Sequence, residues 1–337
     1  QASMELSTQV LQHVQRKQVE VTTVSLPALG PSDILARATC SGVSPGTEAL
    51  VFNGNIEPGT ALDESIPALK DGSLQYPFAY GHCWVGRVVK AGDNVTNLKP
   101  GDRIFTFAPH QAHIVTAADA CIALPDNLSD SAATLLPSME TAVSIVHDTQ
   151  PLLGENIRIF GQGVVGLLTA WILNQFPLTS LSTVDPSHPR RSISQALGLN
   201  AFNLPTSSEK LSPVDATIEI SGNPAALDQA IQSTQAHGRV IIASWYGSQR
   251  AELSLNTHFH RGRIQIISTQ VSSISPKLRG GWNNPRRLEQ AMRLLHKFPH
   301  AALSATPMAF EDAPTSYPAL FTEVGPSIHP FFVYPKD

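Results

Sequence analysis

Three glycines in the segment Gly161-Gln162-Gly163-Val164-Val165-Gly166 constrain the fold more than any other feature of the chain. Residues 157–160 before them predict a short buried strand, and residues 167–173 after them predict an apolar helix. In such a unit the first glycine permits a tight turn, the second lets backbone approach a pyrophosphate, and the third lets the helix pack on the strand. Since the helix N-terminus then faces the phosphates, the sequence predicts a dinucleotide site. An ordinary strand-turn-helix is the alternative.

A second predicted strand, residues 181–184, ends at Asp185, about 20 residues past the glycines. An acid at this point accepts hydrogen bonds from the ribose hydroxyls and repels a 2′-phosphate, which favours NAD. Arg190 and Arg191 follow it and could instead pair with the phosphate of NADP. We therefore expect NAD or NADP as cofactor, NAD being favoured, with Asp185, Arg190 and the six residues of the glycine segment at the site.

Before residue 138 the chain has the alternating apolar and polar residues of β-strands, for example at 19–26, 33–40 and 84–89. After it, strand-like and helix-like segments alternate, which predicts an α/β fold with a doubly wound parallel sheet. We expect a β-rich domain over residues 1–137, a Rossmann domain over 138–275, and a C-terminal segment, 276–337, that returns to the first domain.

Composition excludes several classes of protein. The 337 residues are 42% hydrophobic, which suits a large core, and a net charge of -4 gives no electrostatic reason to expect nucleic acid or a membrane surface as partner. Cys40, Cys83 and Cys121 form no disulfide framework, and no apolar run or leader is recognised, so we expect a cytoplasmic protein. Residues 1–3 precede Met4, where we expect the native chain to start.

Several short motifs carry a family resemblance. They are Ser-Gly-Val-Ser-Pro-Gly-Thr-Glu at 41–48, Gly81-His82 before Val-Gly-Arg-Val, the turn Lys-Pro-Gly-Asp-Arg at 99–103, and Met-Glu-Thr-Ala at 139–142. With the glycine segment, the chain resembles the medium-chain dehydrogenase/reductase superfamily over nearly its whole length. The Ser-Pro-Gly-Thr-Glu variant is most similar to a zinc-lacking branch that includes bacteriochlorophyllide dehydrogenase-like proteins. The resemblance implies a GroES-like catalytic domain, a substrate cleft between the two domains, and a homodimer.

Two of the family's zinc-ligand positions hold residues that bind metal poorly or not at all, Ser44 and Pro137, while His82 remains at the histidine position. Ser44 stands at the position of the first cysteine, Cys83 at that of the glutamate after His82, and Pro137 at that of the third ligand. Zinc needs thiolate, imidazole or carboxylate ligands, so we expect no metal. A rearranged zinc site would have to recruit Cys40, His82, Cys83 or Glu140.

Without zinc, side chains must stabilise charge on the substrate oxygen and handle the proton. Thr47 matches the hydroxyl that relays the proton in zinc members, and a turn threonine bonded to local backbone is the alternative. His82 is a candidate acid/base, or a core histidine. Glu48 matches an acid that supports the family's site. Glu140 either faces the nicotinamide or complements a helix dipole.

Further candidates follow the later strands at their carboxyl ends, where doubly wound sheets bind ligands. As cofactor-binding residues we name Thr141, Ser221, Gly222, Trp245, Tyr246, Thr269 and Gln270. Trp245 and Tyr246 wall the pocket or only pack. Residues 264–268 predict an edge strand that pairs with its mate in a dimer.

Other groups of residues each allow two interpretations. His110 and His113, with the spacing of a helix face, and His258 and His260, on one side of a predicted strand, could bind metal, but no third ligand is evident. Arg279, Arg286 and Arg287 surround Trp282 as a solvated helix face, or meet an acidic substrate group. Residues 53–76 form a surface loop that is a lid or an idle insertion.

Together these features predict a zinc-independent, NAD(P)-dependent oxidoreductase that acts on an alcohol/carbonyl pair, a small-molecule substrate. An enone or quinone reductase, which adds hydride to a C=C bond with NADPH, is the alternative among enzymes. A catalytically idle dinucleotide-binding protein is the alternative outside them.

Overall fold

A division of the chain into two units, as the change of pattern at residue 138 predicts, is present in the computed structural model. The model describes residues 5–57, 59–61, 69, 72–206, 210–322 and 327–336. Unit 1 comprises Gln1–Pro137 and Ser304–Asp337, and unit 2 comprises Ser138–Leu303. The return to unit 1 at Ser304 corrects the boundary at 276 that we expected from the sequence.

The secondary structure is numbered in chain order. The strands are β1 (Ser7–Gln15), β2 (Gln18–Ser25), β3 (Asp33–Gly42), β4 (Phe78–Ala79), β5 (Trp84–Ala91), β6 (Arg103–Thr106), β7 (His113–Ala117), β8 (Ile122–Ala123), β9 (Asn156–Phe160), β10 (Ser180–Val184), β11 (Asn200–Phe202), β12 (Val214–Glu219), β13 (Thr234–Ile242), β14 (Gln265–Ser268), β15 (Ala305–Ala309) and β16 (His329–Val333). The helices are α1 (Pro45–Phe52), α2 (Asp130–Ala133), α3 (Leu136–Thr149), α4 (Val164–Leu173), α5 (His188–Ala196), α6 (Pro224–Gln232), α7 (Thr257–Arg261), α8 (Asn284–Lys297) and α9 (Ala313–Thr322).

Unit 1 is built on a largely antiparallel sheet in the order β15-β16-β3-β5-β6-β8, with β7 also paired to β3, and on a smaller sheet, β2-β1-β4. In β3 the side chains of Ile34, Ala36 and Ala38 are buried at every second position, as one face of a strand requires. They join a core with Trp84 and Phe332, so the C-terminal strand completes the first unit's core.

Unit 2 has six parallel strands in the order β11-β10-β9-β12-β13-β14. Counted from β9, this is the order 3-2-1-4-5-6 of a doubly wound dinucleotide-binding sheet, which confirms the predicted α/β fold class. The central strands β9 and β12 are buried at nearly every position, as expected where helices cover both faces of a parallel sheet. Among the described residues β14 is the last strand of this sheet, so the edge strand predicted over 264–268 is confirmed for Gln265–Ser268.

One segment differs from the sequence prediction, and another lies partly outside the described residues. His258 and His260 lie in helix α7, not in a strand, and the turn at Gly262 ends that helix before β14. In the predicted loop over 53–76, residues 58, 62–68 and 70–71 lie outside the described residues, so its role as a lid stays a prediction. No helix in the described part of the chain is both long and apolar enough to cross a membrane.

Candidate functional site

The predicted cofactor residues of unit 2 follow five neighbouring parallel strands at the points where these strands end. Parallel strands present their carboxyl ends at one edge of the sheet, so the following residues share that edge. They are the glycine segment after β9, Asp185 after β10, Ser221 and Gly222 after β12, Trp245 and Tyr246 after β13, and Thr269 and Gln270 after β14.

The glycine turn after β9 shows a different requirement at each glycine. Gly161 has φ +105°, and a Cβ there would lie 2.7 Å from the backbone of Ser221. A Cβ on Gly166 would lie 2.1 Å from the carbonyl oxygen of Gly161. By contrast, the nearest atom to a Cβ on Gly163 is Nη1 of Arg190, at 4.0 Å. The first and third glycines are therefore needed by the protein itself, whereas Gly163 has open space in front of it.

Helix α4 begins directly after Gly163 with Val164, which is buried, and Val165, which is half-buried. Glycine has no side chain to cap the helix, and the first amides of a helix have no partner within it. The open space at Gly163 thus lies at a helix N-terminus whose amides suit an anion. These residues fit the pyrophosphate of a dinucleotide.

Asp185 is held in a fixed orientation at the end of β10. Its Oδ2 accepts a hydrogen bond from the amide of Gln162 (2.8 Å), and its Oδ1 accepts one from the amide of Ser187 (2.8 Å). Arg190 Nη1 lies 3.9 Å from Oδ2, and Arg191 Nη1 donates to the backbone carbonyl of Asp185 (2.8 Å). Asp185 and Arg190 are therefore neighbours. A ribose hydroxyl bound to Asp185, or a phosphate bound to Arg190, would lie close to both charges.

The side chain of Gln162 points into the protein instead of toward the open turn. It is buried, its Nε2 donates to the Gly161 carbonyl (2.7 Å), and its Oε1 accepts from Ser194 Oγ (2.9 Å). Gln162 therefore ties the glycine turn to helix α5. A cofactor contact through this side chain stays a prediction.

Glu219, which the sequence analysis missed, organises the edge beside β12. This buried carboxylate accepts from the amide and hydroxyl of Ser221 and from the hydroxyl of Tyr246. Burial, and then the charge of Glu219, raise the pKa of Tyr246. Tyr246 thus anchors the loop after β13, while Trp245 is 48% exposed beside it. An acid inside the apolar run 216–220 was the available signal.

Gly222, Thr269 and Gln270 also make contacts within unit 2. The amide of Gly222 donates to Ser244 Oγ (2.9 Å), and Thr269 Oγ1 donates to Asp148 Oδ2 (2.6 Å). Gln270 Oε1 accepts from the hydroxyl of Ser272 (2.6 Å). Thr141 is half-buried on α3.

Unit 1 carries the predicted catalytic residues on helix α1 and before strand β5. Ser44 stands at the N-cap of α1, and Pro45 follows it at a position that tolerates the missing N–H. Thr47 and Glu48 therefore lie in the first turn. Thr47 is half-buried, and within the described residues its hydroxyl makes no hydrogen bond.

Glu48 is fully buried and is the centre of a polar network in the core of unit 1. Its Oε2 accepts from the amide of Ser44 (2.5 Å), and its Oε1 accepts from His110 Nε2 (2.6 Å) and from the hydroxyl of Tyr317 (3.1 Å). Ser41 Oγ then lies 2.7 Å from His110 Nδ1 and 2.8 Å from the Tyr334 hydroxyl. The network spans α1, β3, the loop after β6, α9 and the C-terminal segment.

Charge pairing keeps Glu48 ionised despite its burial. Burial by itself raises the pKa of this carboxyl, but the charge and hydrogen bond of His110, the charge of His82 and the amide of Ser44 outweigh burial and lower it. For Tyr317, burial and the charge of Glu48 raise the pKa of the hydroxyl, so it stays a donor. His110, which the sequence offered only as half of a metal pair, is thus the partner of Glu48.

His82 is half-buried next to this network. It precedes β5, and its charge acts on Glu48 as described above. Gly81 has φ +143°, and a Cβ there would lie 3.1 Å from the ring of His110. The backbone before His82 therefore packs directly on His110, the partner of Glu48.

The residues at the family's zinc positions do not form a ligand set. Ser44 and Pro137 offer no ligand that zinc prefers. Cys83 Sγ donates to the Thr134 carbonyl (3.2 Å), and burial raises the pKa of this thiol, which opposes thiolate formation. Glu140 pairs with Arg287 in unit 2. Within the described ranges, no three His, Cys, Asp or Glu side chains are grouped to hold a metal ion.

His13, which stacks on Phe78 at 5.0 Å, gives a prediction for the pH dependence of stability. Burial first, then the charge of His110, lower its pKa from 6.5 to about 4, against the charge of Glu48. Between these values the unfolded chain binds the proton and the folded chain does not, so this stability is present above pH 6.5 and lost as pH falls toward 4. We expect the urea-unfolding midpoint of His13→Phe to change less between pH 7 and pH 4.5 than the midpoint of wild type does. Equal slopes for His13→Phe and wild type would contradict this.

Residues 30–133 match the family of the alcohol dehydrogenase GroES-like domain. (R,R)-butanediol dehydrogenase of Bacillus subtilis is 26% identical over 203 residues, which are 50% of this chain and 59% of that enzyme. The match thus spans less than two thirds of that relative.

Solved structures share the fold over nearly the whole chain. The 2R,3R-butanediol dehydrogenase structure of Bacillus subtilis has a TM-score of 0.78 and 18% identity, and covers 98% of this chain and 100% of its own. Acetophenone reductase from Geotrichum candidum, solved with NAD, has a TM-score of 0.79 and 13% identity, with 98% of each chain covered. At these identities the likeness shows the fold.

Proposed function

We propose that this chain, which belongs to the medium-chain dehydrogenase/reductase superfamily, is an NAD(P)-dependent oxidoreductase that interconverts an alcohol and a carbonyl compound without a catalytic zinc ion. One arrangement carries the proposal: the open space at Gly163, at a helix N-terminus, beside the fixed carboxylate of Asp185. The first part suits a pyrophosphate and the second a ribose. The names of the relatives, which are dehydrogenases and a reductase, support the reaction class.

NAD is the preferred cofactor in this proposal. Two amide hydrogen bonds fix the Asp185 carboxylate, and each of its oxygens retains a lone pair for a ribose hydroxyl. Its negative charge opposes a 2′-phosphate. Arg190, at 3.9 Å, offsets part of this charge, so we expect a preference for NAD that Asp185→Asn would weaken.

Zinc independence is proposed because Ser44 and Pro137 supply no ligand that zinc prefers. The thiol of Cys83 donates to the Thr134 carbonyl, and burial raises its pKa, which opposes the thiolate that zinc needs. When bound, the nicotinamide supplies or accepts the hydride. The hydroxyl of Thr47 donates a hydrogen bond to the substrate oxygen, and His82 takes up or returns the proton. The charge of His82 lowers the pKa of Glu48, so the two side chains act on each other.

Replacing Thr47 with valine tests the catalytic part of the proposal. The two side chains have similar shapes, but valine has no hydroxyl, so we expect kcat to fall by about 100-fold while NADH affinity is unchanged. Thr47→Ser is the matched control and retains turnover. Steady-state rates with secondary alcohols and NAD, and NADH titrations, measure the two effects. Full turnover by Thr47→Val would exclude Thr47 as the donor.

Substrate assays separate this reaction from its alternatives. Oxidation of a secondary alcohol with NAD supports the proposal, whereas NADPH consumption with an enone supports a C=C reductase. Binding of the cofactor without turnover on either class would indicate a catalytically idle protein.

Assembly and location complete the proposal. Strand β14 is the last strand of its sheet, and an unpaired strand edge favours pairing with a second copy, so we propose a homodimer. Cys40, Cys83 and Cys121 are free thiols, which suits the reducing cytoplasm.

A further inference from the structure

The segment after β14, residues 269–273, is attached to one face of helix α3. At its start, Thr269 donates to Asp148. Further along, Arg287 of helix α8 links it to Glu140 and Ser144. Because residues four apart share a face of a helix, Glu140, Ser144 and Asp148 form one row, and the segment follows that row.

Arg287 makes the central cross-link of this arrangement. It is 3% exposed, its Nη2 donates to the Val271 carbonyl and to Glu140 Oε1 (3.3 Å), and its Nη1 donates to the Ser273 carbonyl (3.4 Å). The planar fork of a guanidinium suits several acceptors at once, which a lysine ammonium does not match. Arg287 thus fixes two backbone carbonyls of one short segment.

Holding two elements together with a buried cation costs the free energy of desolvating that cation. Burial raises the pKa of Glu140, the acid that pairs with Arg287, and the charge of Arg287 opposes that rise. Replacing a buried ion pair by apolar residues of similar size often leaves stability unchanged or increases it. Stability alone therefore gives little reason for Arg287 here, whereas placement of the backbone does.

Two side chains of the segment, those of Thr269 and Gln270, are already hydrogen-bonded within unit 2. Thr269 is bonded to Asp148, and Gln270 Oε1 accepts from the amide and hydroxyl of Ser272. The segment stands at the carboxyl edge of the parallel sheet, where such sheets bind their ligands. Its carbonyls and amides serve a ligand only if the backbone is held in place.

We infer that Arg287 is a positioning residue for the dinucleotide. It holds the carbonyls of Val271 and Ser273, so that the backbone of residues 269–273 has its binding geometry before the cofactor arrives. This inference rests on the proposed function. The sequence showed Arg287 only as part of a basic cluster around Trp282, where Arg286 does stack on the ring at 3.8 Å.

Four variants separate positioning from a structural role. Arg287→Met removes both the charge and the fork, and Arg287→Lys keeps a charge beside Glu140 without the fork. Glu140→Gln keeps the two carbonyl bonds and removes the charge pair. Arg286→Met alters the exposed neighbour and is the matched control.

The measurements are NADH titration by nicotinamide fluorescence and the thermal midpoint of each variant. We expect both Arg287 variants to bind NADH about tenfold more weakly, and Glu140→Gln and Arg286→Met to stay within about twofold of wild type. Should Arg287→Met not fold, Arg287→Lys and Glu140→Gln still give the comparison.

Wild-type affinity in Arg287→Lys would overturn the inference, as would affinities that follow the thermal midpoints across all four variants. Either result leaves the proposed function intact because wild type still binds NADH. A wild-type protein that binds neither NADH nor NADPH would instead overturn the proposed function, and the inference with it.

Discussion

Replacing His110 with alanine is expected to lower the free energy of unfolding by about 3 to 5 kcal/mol, the range for leaving a buried charge without its partner. His110 and Glu48 are both fully buried, with 2.6 Å between Nε2 and Oε1. Alanine would leave the Glu48 carboxylate without its main partner in the core. Urea unfolding at pH 7, followed by far-UV circular dichroism, measures the loss.

Two comparisons make this prediction specific. His113→Ala, in the same segment, removes a half-buried ring whose Nδ1 is 3.4 Å from Thr8 Oγ1, so we expect it to cost about 1 kcal/mol or less. In a double-mutant cycle, Glu48→Gln with His110→Ala should cost less than the two single changes together. Additive effects would show that Glu48 and His110 do not act as a pair.

The loss of stability in His110→Ala should depend on pH. The pKa of Glu48 is held below its ordinary value of 4.5, so its contribution is present above that value and is lost as pH falls below it. The difference between wild type and His110→Ala should therefore shrink in acid. A difference that grows below pH 4.5 would contradict an ionised Glu48.

Replacing Gly161 with alanine is expected to destabilise unit 2 by about 2 kcal/mol or more and to abolish NADH binding. The φ of +105° disfavours any side chain, and the new Cβ would collide with backbone at Ser221. The collision displaces the turn between β9 and α4. Thermal unfolding and fluorescence titration report the two losses.

Gly163→Ala is the matched control, and its expected result is different. Its Cβ has 4.0 Å to the nearest atom, so the loss of stability should be limited to the poorer N-cap that alanine gives helix α4, about 1 kcal/mol. NADH binding should still weaken because the methyl group occupies the space proposed for the pyrophosphate. Unchanged affinity in Gly163→Ala would show that no ligand approaches this turn.

Features that depend on neighbours in the sequence were predictable. The strand, glycine turn and helix at 157–173 are continuous in the chain, so their order follows directly from the sequence. Alternation of strands and helices then gave the doubly wound sheet and the edge strand over 264–268. Helix α8 could not be assigned in this way, since its amphipathic pattern does not say which unit it packs on, so the boundary at 276 was wrong.

The buried polar pairs were not predictable, because their members are far apart in the chain. Glu48 lies 62 residues from His110 and 269 from Tyr317, and Glu140 lies 147 from Arg287. Only the fold brings these residues together. From the sequence, Arg287 was therefore interpreted as one of several exposed arginines, and His110 as one member of a metal-binding pair.

The most direct test of the central claim is a side-by-side titration of the purified protein with NADH and NADPH, followed by nicotinamide fluorescence. We expect saturable binding of NADH, weaker binding of NADPH, and a smaller difference between the two affinities in Asp185→Asn. Tighter binding of NADPH would mean that Arg190 or Arg191 decides the preference and would favour the reductase. Binding of neither would contradict the dinucleotide site itself.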